Sequence, residues 1–197
     1  MEVGLLYSGG KDSTLAACLL DGLCDVTLCC GTFGVTDDYR HARAAGRELG
    51  FETARLELDP AVAEAAVGQM IEDGYPREGI QQVHEHALER AAREWPAVAD
   101  GTRRDDRAPT VDRPLAQSIE DRFEVAHLAP LAGVGRRAID RLAEAHLTVE
   151  TGPSEEVRKG DYEAELRALV AAEHGQEAVA ALFPEHVQSR VTGWRDG

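Results

Sequence analysis

The string Ser8-Gly9-Gly10-Lys11-Asp12-Ser13 follows directly on the apolar run Val3 to Tyr7. Two consecutive glycines let a backbone turn tightly and bring bare N–H groups close to a ligand. A helix opening at Asp12 would point its positive end at the same place, which favours an anion. Lys11 adds a point charge for phosphate oxygens, and Ser8 and Ser13 add hydroxyl donors. Asp12 is out of place beside phosphate unless it holds a cation or the loop itself. The residues therefore describe a polyphosphate-binding loop served by Mg2+. They do not match the GxxxxGK[ST] phosphate loop, nor the GxGxxG dinucleotide fingerprint.

A second cluster, Asp100-Gly101-Thr102-Arg103-Arg104-Asp105-Asp106-Arg107, lies about ninety residues on. Gly101 would permit close backbone approach to a ligand, and Asp105 and Asp106 between arginines suit Mg2+ plus phosphate. A solvated charged loop is the alternative. Arg103, Arg104, Arg107, Arg113, Arg136 and Arg137 make this region basic within an acidic chain. They read as contacts for phosphate and an anionic acceptor, or as partners for neighbouring carboxylates. His84 and His86, two residues apart on a helix, do not share a face as metal ligands would. His84 is expected at the surface, with a place over the ligand as the alternative, and His127 is a further candidate.

Short apolar runs alternate with amphipathic ones. Strands are expected over Val3 to Tyr7, Asp25 to Cys30, Glu52 to Leu58, Ala97 to Asp100 and Phe123 to Leu128. Helices are expected over Asp12 to Leu20, Asp37 to Leu49, Pro60 to about Glu72, Ile80 to Glu94 and Arg136 to Ala145. This order predicts an α/β fold with a doubly wound parallel five-stranded sheet covered on both faces. Ligands of such sheets sit at the carboxyl ends of the strands, where strand order reverses. Residues 1–150 form the expected domain. Residues 151–197, with helices over Tyr162 to Ala172 and Gln176 to Leu182, form a helical extension packed on it. Val187, Val191 and Trp194 fall at helical spacing and are expected to bury the tail, or to form a dimer contact.

The chain has 197 residues and a net charge of −15, and Lys11 and Lys159 are its two lysines. A surface dense in Asp and Glu with almost no Lys suits very high salt, where repulsion is screened. On that halophile-like hypothesis the melting temperature rises steeply with molar KCl, and a flat response would overturn it. The acidity argues against nonspecific nucleic-acid binding but leaves room for a local basic site. Four cysteines, Cys18, Cys24, Cys29 and Cys30, make no disulfide framework and no CxxC pair, so a reducing, cytoplasmic setting is expected. No apolar stretch reaches the roughly 20 residues of a bilayer span, and the N-terminus does not read as a signal peptide.

Ser8-Gly9-Gly10-Lys11-Asp12-Ser13 resembles the SGGxDS signature of the PP-loop ATP pyrophosphatase superfamily, which includes tRNA-lysidine synthetase, tRNA thiolases, NAD and GMP synthetases and a sacrificial sulfur transferase. The 100–107 cluster is similar to the GxxxDD-type second motif of these enzymes. Glu72-Asp73-Gly74-Tyr75-Pro76, Gly79-Ile80-Gln81, Lys159-Gly160-Asp161-Tyr162-Glu163 and Phe183-Pro184 through Gln188-Ser189-Arg190-Val191 resemble an uncharacterised archaeal PP-loop ATPase family labelled as related to tRNA 2-thiouridylation.

The resemblance implies an adenine nucleotide α-hydrolase-like fold and cleavage of ATP to AMP and pyrophosphate. An acceptor, a tRNA base or a small metabolite, would be adenylated and attacked by an amine, ammonia or sulfur nucleophile. Ser8, Gly9, Gly10 and Ser13 would hold the pyrophosphate, with Gly101 and Thr102 beside it. Lys11 and Arg104 would neutralise developing charge, and Asp12 with Asp105 or Asp106 would hold Mg2+. Gly31, Thr32 and Phe33 would receive the adenine. The segment from Tyr75 to His84 lacks the cysteine that thiolases carry there, which leaves Cys29 and Cys30, read here as core residues of a strand. A non-catalytic nucleotide-binding protein, or a partner subunit of a tRNA-modifying complex, is the alternative.

Overall fold

The computed structural model describes residues 1–153, 157–183 and 187–195. Five strands, β1 (Glu2–Leu6), β2 (Asp25–Thr32), β3 (Glu52–Glu57), β4 (Ala97–Ala99) and β5 (Ala126–Leu128), form one parallel sheet in the order β3-β2-β1-β4-β5. Strand order reverses between β1 and β4, so the loops leaving these two strands open side by side.

Alternate strand residues serve opposite faces of a sheet. Val3, Leu5, Tyr7 and Cys30 enter one core with α1 (Lys11–Asp21), α2 (Tyr39–Glu48) and α6 (Arg136–His146). Leu6, Cys29 and Val98 enter the other, with α3 (Pro60–Asp73), α4 (Arg77–Ala92), α5 (Arg113–Phe123), α7 (Tyr162–His174) and α8 (Gln176–Leu182). The chain thus has the doubly wound α/β architecture that its sequence predicts. Cys29 and Cys30 part to opposite faces, both fully buried. Burial pushes both thiols up, to about 12 for Cys30, so neither is poised as a thiolate.

Helix α5 was not anticipated. Asp112 caps it by accepting from Leu115 N at 2.9 Å, Pro114 opens its first turn, and Glu124 at φ 56° ends it. That helix takes up Phe123, so the strand expected over Phe123 to Leu128 shrinks to three residues.

The C-terminal end departs further from expectation. Val187, Val191 and Trp194 lie on a strand, β7 (Val187–Trp194), paired antiparallel with β6 (Leu147–Pro153). Val191 is buried, Val187 is 67% exposed, and the Trp194 indole N–H donates to Leu49 O at 3.2 Å. Spacings of three and four residues over so short a segment do not fix a helix, and the edge of β6 supplies backbone partners that a helix would forgo. Residue 150 sits inside β6. Ser154 and Pro184 lie outside the described residues. Among the described residues no helix is long and apolar enough to cross a membrane.

Candidate functional site

The loop between β1 and α1 is held in place by the distant C-terminal third. Gly9 takes φ 81°, and a Cβ there would stand 3.1 Å from Ala42 Cα. Two of the loop's carbonyls bond to the C-terminal part of the chain: Ser8 O accepts from Gly160 N at 3.0 Å and Gly9 O from Val191 N at 2.9 Å. Gly160 in turn has no room for a side chain, because a Cβ would meet Tyr39 Cα at 2.8 Å. Gly10 caps α1 without a side-chain cap bond, and its own N–H donates to Ser8 Oγ at 3.3 Å. Ser13 Oγ donates to Gly10 O at 3.3 Å, and Thr14 Oγ1 donates to the same carbonyl at 2.9 Å.

Asp12 lies between cations. Its carboxylate is 3.9 Å from Lys11 Nζ and 3.6 Å from Arg103 Nε, yet Oδ1 is buried with no hydrogen-bond partner. Burial raises its pKa, against the pull of Lys11 and Arg103. Arg103 also grips Asp106, which accepts from its backbone N at 2.7 Å and from Nε at 3.0 Å. Asp105 turns the other way and accepts from Arg136 N at 3.0 Å, at the start of α6, a bond that lowers its pKa. The carboxylates expected to share Mg2+ are therefore dispersed. Asp12 and Asp106 flank one guanidinium, and Asp105 serves a helix end. Among the described residues no group of three or more His, Cys, Asp or Glu is placed to hold a metal ion.

Gly101, which lines the smaller of two clefts here, is also required for packing. A Cβ there would meet Ser13 Cα at 2.8 Å and Ser13 N at 2.9 Å, so the glycine lets the chain after β4 press on the first turn of α1. Thr102 N donates to Asp100 Oδ1 at 2.7 Å. Asp100 is buried with His127 Nε2 at 3.2 Å from its Oδ2. Burial would raise the Asp100 pKa, but the His127 bond, nearby His84 and Thr102 hold it below the usual carboxylate range. His84, expected at the surface, is buried on α4, and its Nε2 has no partner. Desolvation lowers its pKa. His86 accepts from Asp59 N at 3.1 Å, and Arg104 packs on the backbone at Gly135.

The loop after β2 is closed by the protein itself. Glu165 of α7, buried to 3% exposure, accepts from Thr32 Oγ1 (2.9 Å), Phe33 N (2.8 Å), Val35 N (3.0 Å) and Thr36 N (3.1 Å). Phe33 N–H, expected to meet a base, is thus already used. Gly31 has Tyr162 Cε1 3.1 Å from where its Cβ would be, so the Tyr162 ring fills the space above it.

Residue-by-residue reading missed Lys159, Tyr162 and Glu165 as builders of the site. Lys159 was the legible one, being the second of two lysines. Its Nζ is 2.7 Å from Asp161 Oδ2. Burial would lower its pKa, but Asp161, Glu163 and Asp12 hold the ammonium above its usual value.

Two clefts open here. One, of about 440 Å3, runs from Ser8 and Ser13 past Gly101 and Thr102 to Ile80, His84 and Tyr162. The other, of about 770 Å3, lies between α6 and the β6–β7 ribbon, with Lys11 at its edge. Asp12, Arg103 and Lys159 line both. The smaller cleft joins the start of α1 to a recess walled by Ile80 and Tyr162, a shape that suits a ligand with a phosphate end and a flat apolar end.

A solved structure from Methanocaldococcus jannaschii, described as a predicted subunit of tRNA methyltransferase, superimposes with TM-score 0.91 at 37% identity, covering 100% of this chain and 98% of that one. The U34-tRNA thiolase NcsA of Methanococcus maripaludis, with its [4Fe-4S] cluster, aligns at TM-score 0.47 and 16% identity over 92% of this chain and 69% of that one. An uncharacterized protein of M. jannaschii, MJ0690, is 40% identical over 194 residues, 98% of this chain and 96% of its own length. A family model described as "Family of unknown function (DUF7411)" matches residues 1–193, and the chain belongs to that family.

Proposed function

We propose that the chain is an ATP-dependent enzyme that activates an acceptor, with AMP and pyrophosphate as products. The observation that carries this reading is the N-terminus of α1, which no side chain caps, opening into a cleft bordered by Lys159, Arg103 and Asp12. The backbone N–H groups of the first turn, with the Ser8 and Ser13 hydroxyls, bind phosphate oxygens. Lys159, which lines both clefts, and Lys11, which lines the larger one, stabilise the negative charge that develops on bond cleavage. The unpartnered Oδ1 of Asp12 is an acceptor open to Mg2+ or to a ligand donor. His84 and the Tyr162 ring wall the far end, where an adenine ring has space that the loop after β2 does not give it. ATP, when bound, supplies the activating group for an acceptor oxygen.

Incubation of the protein with ATP labelled at the α-phosphorus, Mg2+ and fractionated cell extract in high salt tests this directly. AMP as the labelled product, dependent on one extract fraction and abolished by Lys11→Ala, is expected. ADP, or no fraction-dependent turnover, would sink the AMP-forming reading.

A second reading has one observation in its favour. The structure that matches across the whole chain is described as a predicted subunit. On that reading this chain acts in tRNA modification with a partner that supplies the remaining chemistry, and it co-purifies with that partner at native ionic strength.

A further inference from the structure

The larger cleft is not needed to hold a nucleotide, yet it meets the nucleotide cleft at Asp12, Arg103 and Lys159. Its walls carry both signs of charge. Lys11, Arg103, Arg136, Lys159 and Arg195 contribute five cations, and Asp12, Asp140 and Glu144 contribute three carboxylates. Two of these cations are already paired beyond the lining, Lys159 with Asp161 and Arg103 with Asp106, so the two signs come close to balance here in a chain whose net charge is −15. Arg136 stands at the first position of α6, where the helix dipole disfavours a cation; the first turn holds no acidic residue, and Asp105 meets the backbone N of Arg136 from outside the helix. Its contact with Asp140 is long, at 4.0 Å. The opposite wall, on the β6–β7 ribbon, offers Thr148, Thr151 and Ser189 as hydrogen-bonding groups.

A phosphodiester chain would meet Asp140 and Glu144 inside this cleft and an acidic protein around it, both repulsive. A small ligand carrying one anionic and one cationic group would find a partner for each. The volume lies within the range of small-molecule sites, roughly 300–1,000 Å3.

We propose that the cleft between α6 and the β6–β7 ribbon is the acceptor site, and that the acceptor is a small zwitterion of the amino-acid class. Its carboxylate lies toward Arg136 and the junction with the nucleotide cleft, and its ammonium lies toward Glu144. The acceptor role rests on the ATP-dependent reading above; the binding site does not.

The test uses the full chain in high salt and ligand-observed NMR. Probes are the protein amino acids, citrate (an anion without an ammonium group) and a single-stranded RNA oligonucleotide. One or more amino acids should bind, and citrate and RNA should not displace them. Arg136→Glu and Glu144→Gln should each weaken that binding by about tenfold or more, from opposite poles of the ligand. Thr151→Trp, which fills the cleft, should abolish it, and melting curves check that each variant is folded. Preferred binding of citrate or RNA overturns the zwitterion assignment. Absence of amino-acid binding, or binding unaffected by all three variants, overturns the site. A non-hydrolysable ATP analogue is titrated separately into the wild-type chain. If it fails to bind while an amino acid does, the nucleotide reading falls and the cleft assignment stands.

Discussion

The loops that leave β1 and β2 lie on the same edge of one sheet, yet the carboxylates beside them are used differently. After β2, the hydroxyl of Thr32 and the N–H groups of Phe33, Val35 and Thr36 all converge on one buried carboxylate, Glu165. After β1, α1 starts without a side-chain cap and the adjacent Asp12 Oδ1 has no hydrogen-bond partner. A fold that leaves buried polar groups unsatisfied loses stability at each of them. The loop after β2 is therefore architecture, and the loop after β1, held by bonds to Ser8 O and Gly9 O, keeps one buried acceptor in reserve, which on the proposed reading a ligand or Mg2+ meets. Both depend on the C-terminal third: α7 brings Glu165 to one loop, while Gly160 and β7 hold the other.

The largest effect expected from this contrast is at the loop after β2. Glu165→Ala leaves four donors without their acceptor and should cost about 3 kcal/mol or more in urea unfolding. Glu165→Gln keeps one carbonyl acceptor and should recover part of that loss. If Glu165→Ala stays within about 1 kcal/mol of the parent, the two loops do not differ as described. At the loop after β1 the order of effects reverses. Lys11→Ala should lower affinity for an ATP analogue by about a hundredfold, roughly 2.7 kcal/mol by calorimetric titration. Its ion pairs with Asp140 and Asp12 are long, 3.6 and 3.9 Å, so stability should change by no more than about 0.5 kcal/mol.

Gly101→Ala should fall between these cases and affect both properties. The added methyl must displace the backbone of Ser13, an overpacking that costs about 1–3 kcal/mol, and the shift carries the first turn of α1 with it. Melting temperature and nucleotide affinity should drop together. A loss of affinity alone would mean that Gly101 faces the ligand rather than the helix.

Sequence pattern was enough for the sheet, because strand-like runs alternate with amphipathic ones, although it missed α5 and so overextended β5. It was enough to bring the Ser8–Ser13 and Asp100–Arg107 segments to one edge, since strand order reverses between β1 and β4. What it could not give were bonds made across long separations. Glu165 reaches a loop about 130 residues earlier, and nothing near residue 165 marks it as different from any acidic residue in a helix. The dispersal of Asp105 and Asp106 has the same origin. Each is satisfied by whichever donor the fold delivers, Arg136 N for one and Arg103 for the other. Helical spacing failed at β7 because one buried residue, Val191, cannot distinguish a period of two from one of 3.6.

The smallest expected effect gives the closest test of the contrast. Burial raises the pKa of Asp12 in the fold above its unfolded value of about 3.9. Between those two values the native state binds more protons than the unfolded chain, so stability falls as pH rises through that window. At neutral pH the ionised carboxylate opposes folding, and Asp12→Asn removes that opposition. The variant should melt higher than the parent at pH 7, on the order of 2 °C, and lose the advantage below about pH 3.9, where both side chains are neutral. It should also bind Mg2+ and the ATP analogue more weakly, since the unpartnered oxygen is gone or inverted to a donor. A variant that melts lower at pH 7 would show that the ion pairs with Lys11 and Arg103 outweigh desolvation. Asp12 would then belong with Glu165, as a carboxylate the fold needs for itself.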